Sequence, residues 1–131
     1  MADEFSIVDI WVGIFPSESL FMQYFEEQYI DDDLPINRFA ADQGELFYDH
    51  DFCEREFNNH PTKSFDELIE GHSYWKSYVD EARDAFSANA YEEANATVLV
   101  WGREIIEPRS VVGKDFRLSY LGRFACDPNV D

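Results

Sequence analysis

Residues 45–57 read ELFYDHDFCEREF, with Asp49, His50 and Asp51 in a row and Cys53 two positions on. Carboxylates beside an imidazole can hold a metal ion or pass protons. Metal chemistry needs ligands that converge, and neighbours on a strand point to opposite faces. A tight turn would be required to gather the three, with His60 or His72 as a further ligand. No HExxH and no EF-hand spacing occurs. The competing role for these acids is to brace a turn by accepting backbone hydrogen bonds.

Other chemistry finds less support. Ser73 follows His72, but adjacency in sequence is not a triad geometry. There is no GxSxG and no glycine-rich phosphate loop. Cys53 has acids around it, which would raise a thiol pKa rather than lower it. Carboxylate pairs mean little in a chain with 28 Asp and Glu. No catalytic residue, metal or cofactor is assigned. His72, at a helix N-terminus, is expected to be neutral, because the dipole there disfavours a cation.

The charge is the stronger signal. Ten Lys and Arg against 28 acids give a net charge of −18 over 131 residues. Residues 1–60 hold 15 acids and only two bases, Arg38 and Arg55, for a net −13; residues 61–131 carry −5. Such a field repels nucleic acid and anionic membrane and steers basic partners inward. Asp31, Asp32, Asp33, Asp49, Asp51, Glu54 and Glu56 are the expected electrostatic contacts, with Tyr48 as an anchor. The competing reading is a solvated acidic face over core aromatics.

The length suits one domain, 1–131, and 45% apolar residues suffice for a core. The start MADEFSIVDI lacks a positive n-region, so no signal peptide is expected, and no apolar run reaches a membrane span. Cys53 and Cys126 have no metal or redox spacing and are expected as reduced thiols in the cytoplasm.

The elements that must position these residues follow from periodicity. Residues 5–15 read as a buried strand stopped at Pro16, with Ser17 capping a helix over 18–28. Asp31–Asp33 lie in a loop that Pro35 keeps from helix. Asn37 caps a short helix to Asp42, and Gly44 ends it. Residues 46–57 are expected as one or two short strands joined at Asp49–Asp51, and NNHPTK as a turn. Ser64 and Glu67 form a capping box for a helix over 65–71. Ser73 is placed to cap a second helix, 74–88. Residues 94–102 and 115–126 read as strands, with Gly122 as a bulge or stop. The sum is an α+β fold: an antiparallel or mixed sheet of about four strands with two or three helices on one face.

Four stretches, IWVG, FAADQGELFYDHDF, ELIEGHSY and EEANATVLVW, occur in that order. Together they resemble the bacterial immunity protein 22 family over residues 7–101. The aligned positions are Trp11, Gly13, Phe39, Gly44, Phe47, Tyr48, Asp49, Asp51, Phe52, Glu54, Gly71, His72, Ser73 and Tyr74. The resemblance implies a non-enzymatic protein of polymorphic toxin or contact-dependent inhibition systems. Such a protein binds a cognate toxin, often a nuclease, in the cytosol. A nuclease carries a basic, phosphate-binding surface that an acidic protein can occupy. Two other readings are a small metal protein or hydrolase centred on Asp49, His50, Asp51 and His72, and a non-catalytic adaptor. Oligomeric state is not legible in the sequence.

Overall fold

The computed structural model describes residues 4–88 and 93–129. Residues 1–3, part of the stretch read for a signal peptide, lie outside them. Five antiparallel strands form one open sheet: β1 (Ile7–Ile14), β2 (Cys53–Thr62), β3 (Ala94–Trp101), β4 (Val111–Val112) and β5 (Arg117–Ala125). Their order is β2-β3-β1-β5-β4, so β2 and β4 are the edges. Four helices complete the fold: α1 (Glu18–Tyr24), α2 (Arg38–Asp42), α3 (Phe65–Ile69) and α4 (Trp75–Ala88). The α+β expectation holds, with one strand and one helix more than expected.

The helices divide between the two faces rather than sharing one. Val8, Ile10 and Val12 of β1 with Leu99 and Trp101 of β3 meet α3 and α4. On the other face Trp11, Ala96, Val98 and Val100 meet Phe21 and Tyr24 of α1 and Phe39 of α2. Strands buried on both sides read as continuous apolar runs, not as alternation. IVDIWVGI and ANATVLVW are such runs, and every residue of β3 is buried.

Local signals set most boundaries. The side chains of Ser17, Asn37 and Ser64 accept the backbone N–H groups of Leu20, Ala40 and Glu67 as N-caps. α1 stops at Tyr24, short of the expected 28. Glu26 and Glu27 follow where the helix C-terminus favours cations. α4 starts at Trp75, because Tyr74 takes a left-handed φ of 59°. Residues 58–62 are not a free turn: β2 continues through them irregularly until Thr62 pairs with Ala94. Pro61 is tolerated there because the strand is an edge. Gly122 does sit at a bulge. Ile10 pairs with Gly122 and Trp11 with Tyr120, with φ 146° at the glycine. At Gly13 a Cβ would fall onto the carbonyl oxygen of Arg117, so β1 and β5 approach as only glycine allows.

Candidate functional site

His50–Phe52 form a short 3-10 turn capped by Asp49, so Asp49–Asp51 are not a strand junction. An Asp49 carboxylate oxygen accepts the Asp51 N–H at 2.9 Å, and the Asp49 N–H donates to Glu104 at 2.7 Å. His50 Nδ1 lies 3.4 Å from Glu27, while Nε2 lies 3.3 Å from Asp51. The two nitrogens sit on opposite sides of the ring, so these carboxylates do not converge on one point. Among the described residues no three His, Cys, Asp or Glu side chains are grouped to hold a metal ion. Burial pushes the Cys53 thiol up to about 12, so it is no thiolate nucleophile near neutral pH.

The surrounding stretch is largely scaffold. Phe39 and Ala40 are core. Gln43 is buried and clamps Arg109 both ways, its amide nitrogen to the carbonyl at 2.9 Å and its amide oxygen to the N–H at 2.7 Å. Trp11 Nε1 donates to the same carbonyl at 3.0 Å. Tyr48 corrects the sequence reading. It is 1% exposed, and its hydroxyl accepts from Asn37 at 2.8 Å, so it cannot anchor a partner. Its neighbour Phe47 points outward at 60% exposure.

Glu54 and Glu56, on β2, turn toward His72 in the α3–α4 connection. Glu54 accepts from His72 Nδ1 at 3.1 Å and from the Ser73 N–H at 3.0 Å. Glu56 lies 3.9 Å from His72 Nε2. The ring is buried and also meets Thr97 at 2.6 Å. Burial, the largest influence on Glu54, acts to raise its pKa; the hydrogen bonds from His72 and Ser73 outweigh it, and the net shift is downward. A carboxylate depressed in the folded state adds stability above its unfolded pKa and loses it as pH falls. Urea midpoints of Glu54→Gln are therefore expected to fall less steeply than wild type below about pH 4.5. Equal slopes in that window would contradict the pairing.

Asp31, Asp32 and Asp33 lie on an exposed loop, where Asp31 accepts the Asp33 N–H at 2.9 Å. Asp51 is also exposed. Three loops meet here: Gln28 N–H donates to Ile36 O, Ile36 N–H to Leu46 O, and Ile106 N–H to Glu45. Their turns leave Ile30, Leu34, Leu46, Phe47 and Ile106 exposed, Ile30 at 86%. The two bases of residues 1–60 are seated on rings, Arg38 over Tyr24 and Arg55 over Phe25. Sequence reasoning missed these exposed apolar residues. No local pattern in residues 45–49 marks Phe47 as the outward ring and Tyr48 as the inward one.

No curated protein and no solved structure matches the chain. A profile of the family described as Immunity protein 22 matches residues 8–127. That span takes in the middle motifs and also the tail, whose Arg123 grips Asp9 and whose Arg109 backbone is held by Gln43. Family membership points to a non-enzymatic role and a cognate toxin as partner. Among the described residues no helix is long and apolar enough to cross a membrane. The chain belongs to the immunity protein 22 family, and its general role is toxin-neutralising immunity.

Proposed function

We propose that this protein neutralises a basic, nuclease-type toxin domain by covering its phosphate-binding surface with the acidic loop face. The observation that carries this reading is the placement of Asp31, Asp32 and Asp33 beside exposed Ile30 and Leu34, in a loop hydrogen-bonded to the one that presents Phe47. Charge steers the encounter, and apolar side chains supply area that excludes water. Asp49, Asp51, Glu54 and Glu56 add to the field, although Asp49 also braces its turn and Glu54 also holds His72. Neutralisation takes place in the cytoplasm, where a delivered nuclease would meet its substrate. The protein does this by occlusion and needs no reaction of its own.

The test is co-expression with the toxin domain encoded beside this chain's gene. Growth should be restored, and the two proteins should co-purify at low salt. A toxin that stays lethal and elutes alone would contradict the reading.

A further inference from the structure

The outer edge of β2 faces a groove of about 1010 Å³ that runs along the strand between α1 and the Gly71–His72 turn. The register shows which backbone groups meet it. Gly102 N–H donates to Ile7 O, which makes Val8–Trp101 a non-hydrogen-bonded pair and Asp9–Val100 a hydrogen-bonded one. By alternation Ala96, Val98 and Val100 turn their backbones to β1, so Thr97 and Leu99 turn theirs to Glu56 and Glu54 of β2. The backbone groups of Cys53, Arg55 and Phe57 are left at the open edge. The Cys53 N–H is taken by His50 O. Among the described residues no backbone hydrogen bond closes the N–H or C=O of Arg55 or Phe57 on that side.

Proteins guard such edges with proline, bulges and charge. Pro61 and the irregular register guard residues 58–62, whereas Cys53–Phe57 pairs regularly with β3. The groove beside this regular half is acidic. Glu18, Glu26 and Glu27 line it from the α1 side, and Glu54 and Glu56 from the other. Among the described residues no donor reaches Glu27 Oε2, which is buried there. Met22 and Phe57 form apolar wall on the α1 face, with Phe57 ringed against Phe21 at 5.8 Å.

We infer that the Cys53–Phe57 edge accepts an extended segment of the toxin as a sixth strand, with Lys or Arg at alternate positions. Main-chain bonds from Arg55 and Phe57 would give pairing, and alternate side chains would give specificity. On one face of the added strand, side chains lie beside Glu54 and Glu56, where basic residues fit. On the other they lie beside Phe57 and Met22, where apolar residues fit. A second copy of this chain is a poorer occupant, because both partners would bring a net charge of −18. The inference rests on the proposed function for the identity of the partner and adds the mode of its binding.

The probe is a short synthetic peptide alternating Lys and Val, with a Glu/Val peptide as control, followed by residue-resolved amide exchange. Glu54 and Glu56 amides should be protected already. Saturating Lys/Val peptide should slow exchange at Arg55 and Phe57 by about tenfold or more. The Glu/Val peptide should leave them unchanged. Arg55→Pro, which removes one outward N–H, should weaken peptide binding about fivefold relative to Arg55→Ala. If Arg55→Pro does not fold, the wild-type exchange result decides alone. Unchanged exchange at both amides in millimolar Lys/Val peptide would overturn the inference. So would protection that rises with protein concentration alone, which would assign the edge to a second copy. If the toxin binds while Arg55 and Phe57 exchange as before, the edge inference fails and the immunity reading stands. If the peptide protects them but the toxin does not bind, the immunity reading fails and the edge remains a basic-strand site.

Discussion

Arg123→Ala is expected to cost about 3–5 kcal/mol of folding stability, because it strands a buried charge. Asp9 lies on β1, in the middle of the sheet, and is 0% exposed. Arg123 on β5 meets it in fork geometry, Nε and Nη2 each at 2.9 Å from a separate carboxylate oxygen. Tyr120 donates its hydroxyl to the same carboxylate at 2.6 Å, and Arg123 also donates to Ile105 O at 3.0 Å. Removing the guanidinium leaves the Asp9 carboxylate, among the described residues, with the phenol as its side-chain donor, and ties the 103–110 loop less firmly. The same physics gives a control. Replacing both partners with apolar residues, Asp9→Leu with Arg123→Met, removes the stranded charge and should recover most of the loss. Urea unfolding reads both variants. A loss below about 1 kcal/mol for Arg123→Ala would place the pair in the class of weak surface bridges and contradict its buried geometry.

Phe47→Ala should weaken toxin binding by about 2 kcal/mol or more, roughly thirtyfold in Kd, and should act through dissociation. Its ring is 60% exposed, so folding stability should change little. Tyr48→Ala should behave in the opposite way. That ring packs against Phe39 at 5.6 Å and is closed from solvent, so its loss should cost about 3–5 kcal/mol of stability. Titration of toxin into each variant, beside its urea midpoint, separates the two. Equal binding by Phe47→Ala and wild type would remove this ring from the interface.

Phe47 and Tyr48 also mark where sequence reasoning ran out. Both are aromatic and lie in the same acidic stretch, and no strand period covers residues 45–49 to say which one turns inward. Inward placement of Tyr48 depends on Asn37, eleven residues away, whose amide meets the hydroxyl. Long-range partners of that kind leave no local pattern. His72 is a second case. Its link to Glu54 joins residues 18 apart, and neither its adjacency to Ser73 nor its place before a helix points to that carboxylate. By contrast, the caps at Ser17, Asn37 and Ser64 were legible, because each rests on an interaction within three residues. Gly122 was legible because its φ of 146° favours glycine, although the bulge itself lies in the long-range pairing with β1. The division of helices between two faces was also readable in principle. IVDIWVGI and ANATVLVW lack the alternation that a one-sided sheet requires. Residues ELFYDHDFCEREF combine both situations: Asp49 braces a turn, Glu54 holds a histidine, and Asp51 and Phe47 face outward.

The most direct test of the central claim is the association rate with the cognate toxin as ionic strength rises, for wild type and for Asp31, Asp32 and Asp33 all changed to Lys. These three side chains are exposed, so the variant should fold as wild type does. Opposite-charge steering can raise association by about 10–1000-fold at low salt and fades once the Debye length falls below about 10 Å. The account predicts a steep fall of the wild-type rate with salt. It also predicts a low-salt rate at least about tenfold lower in the triple variant, with dissociation little changed. Equal association rates for the two proteins, both flat with salt, would contradict it.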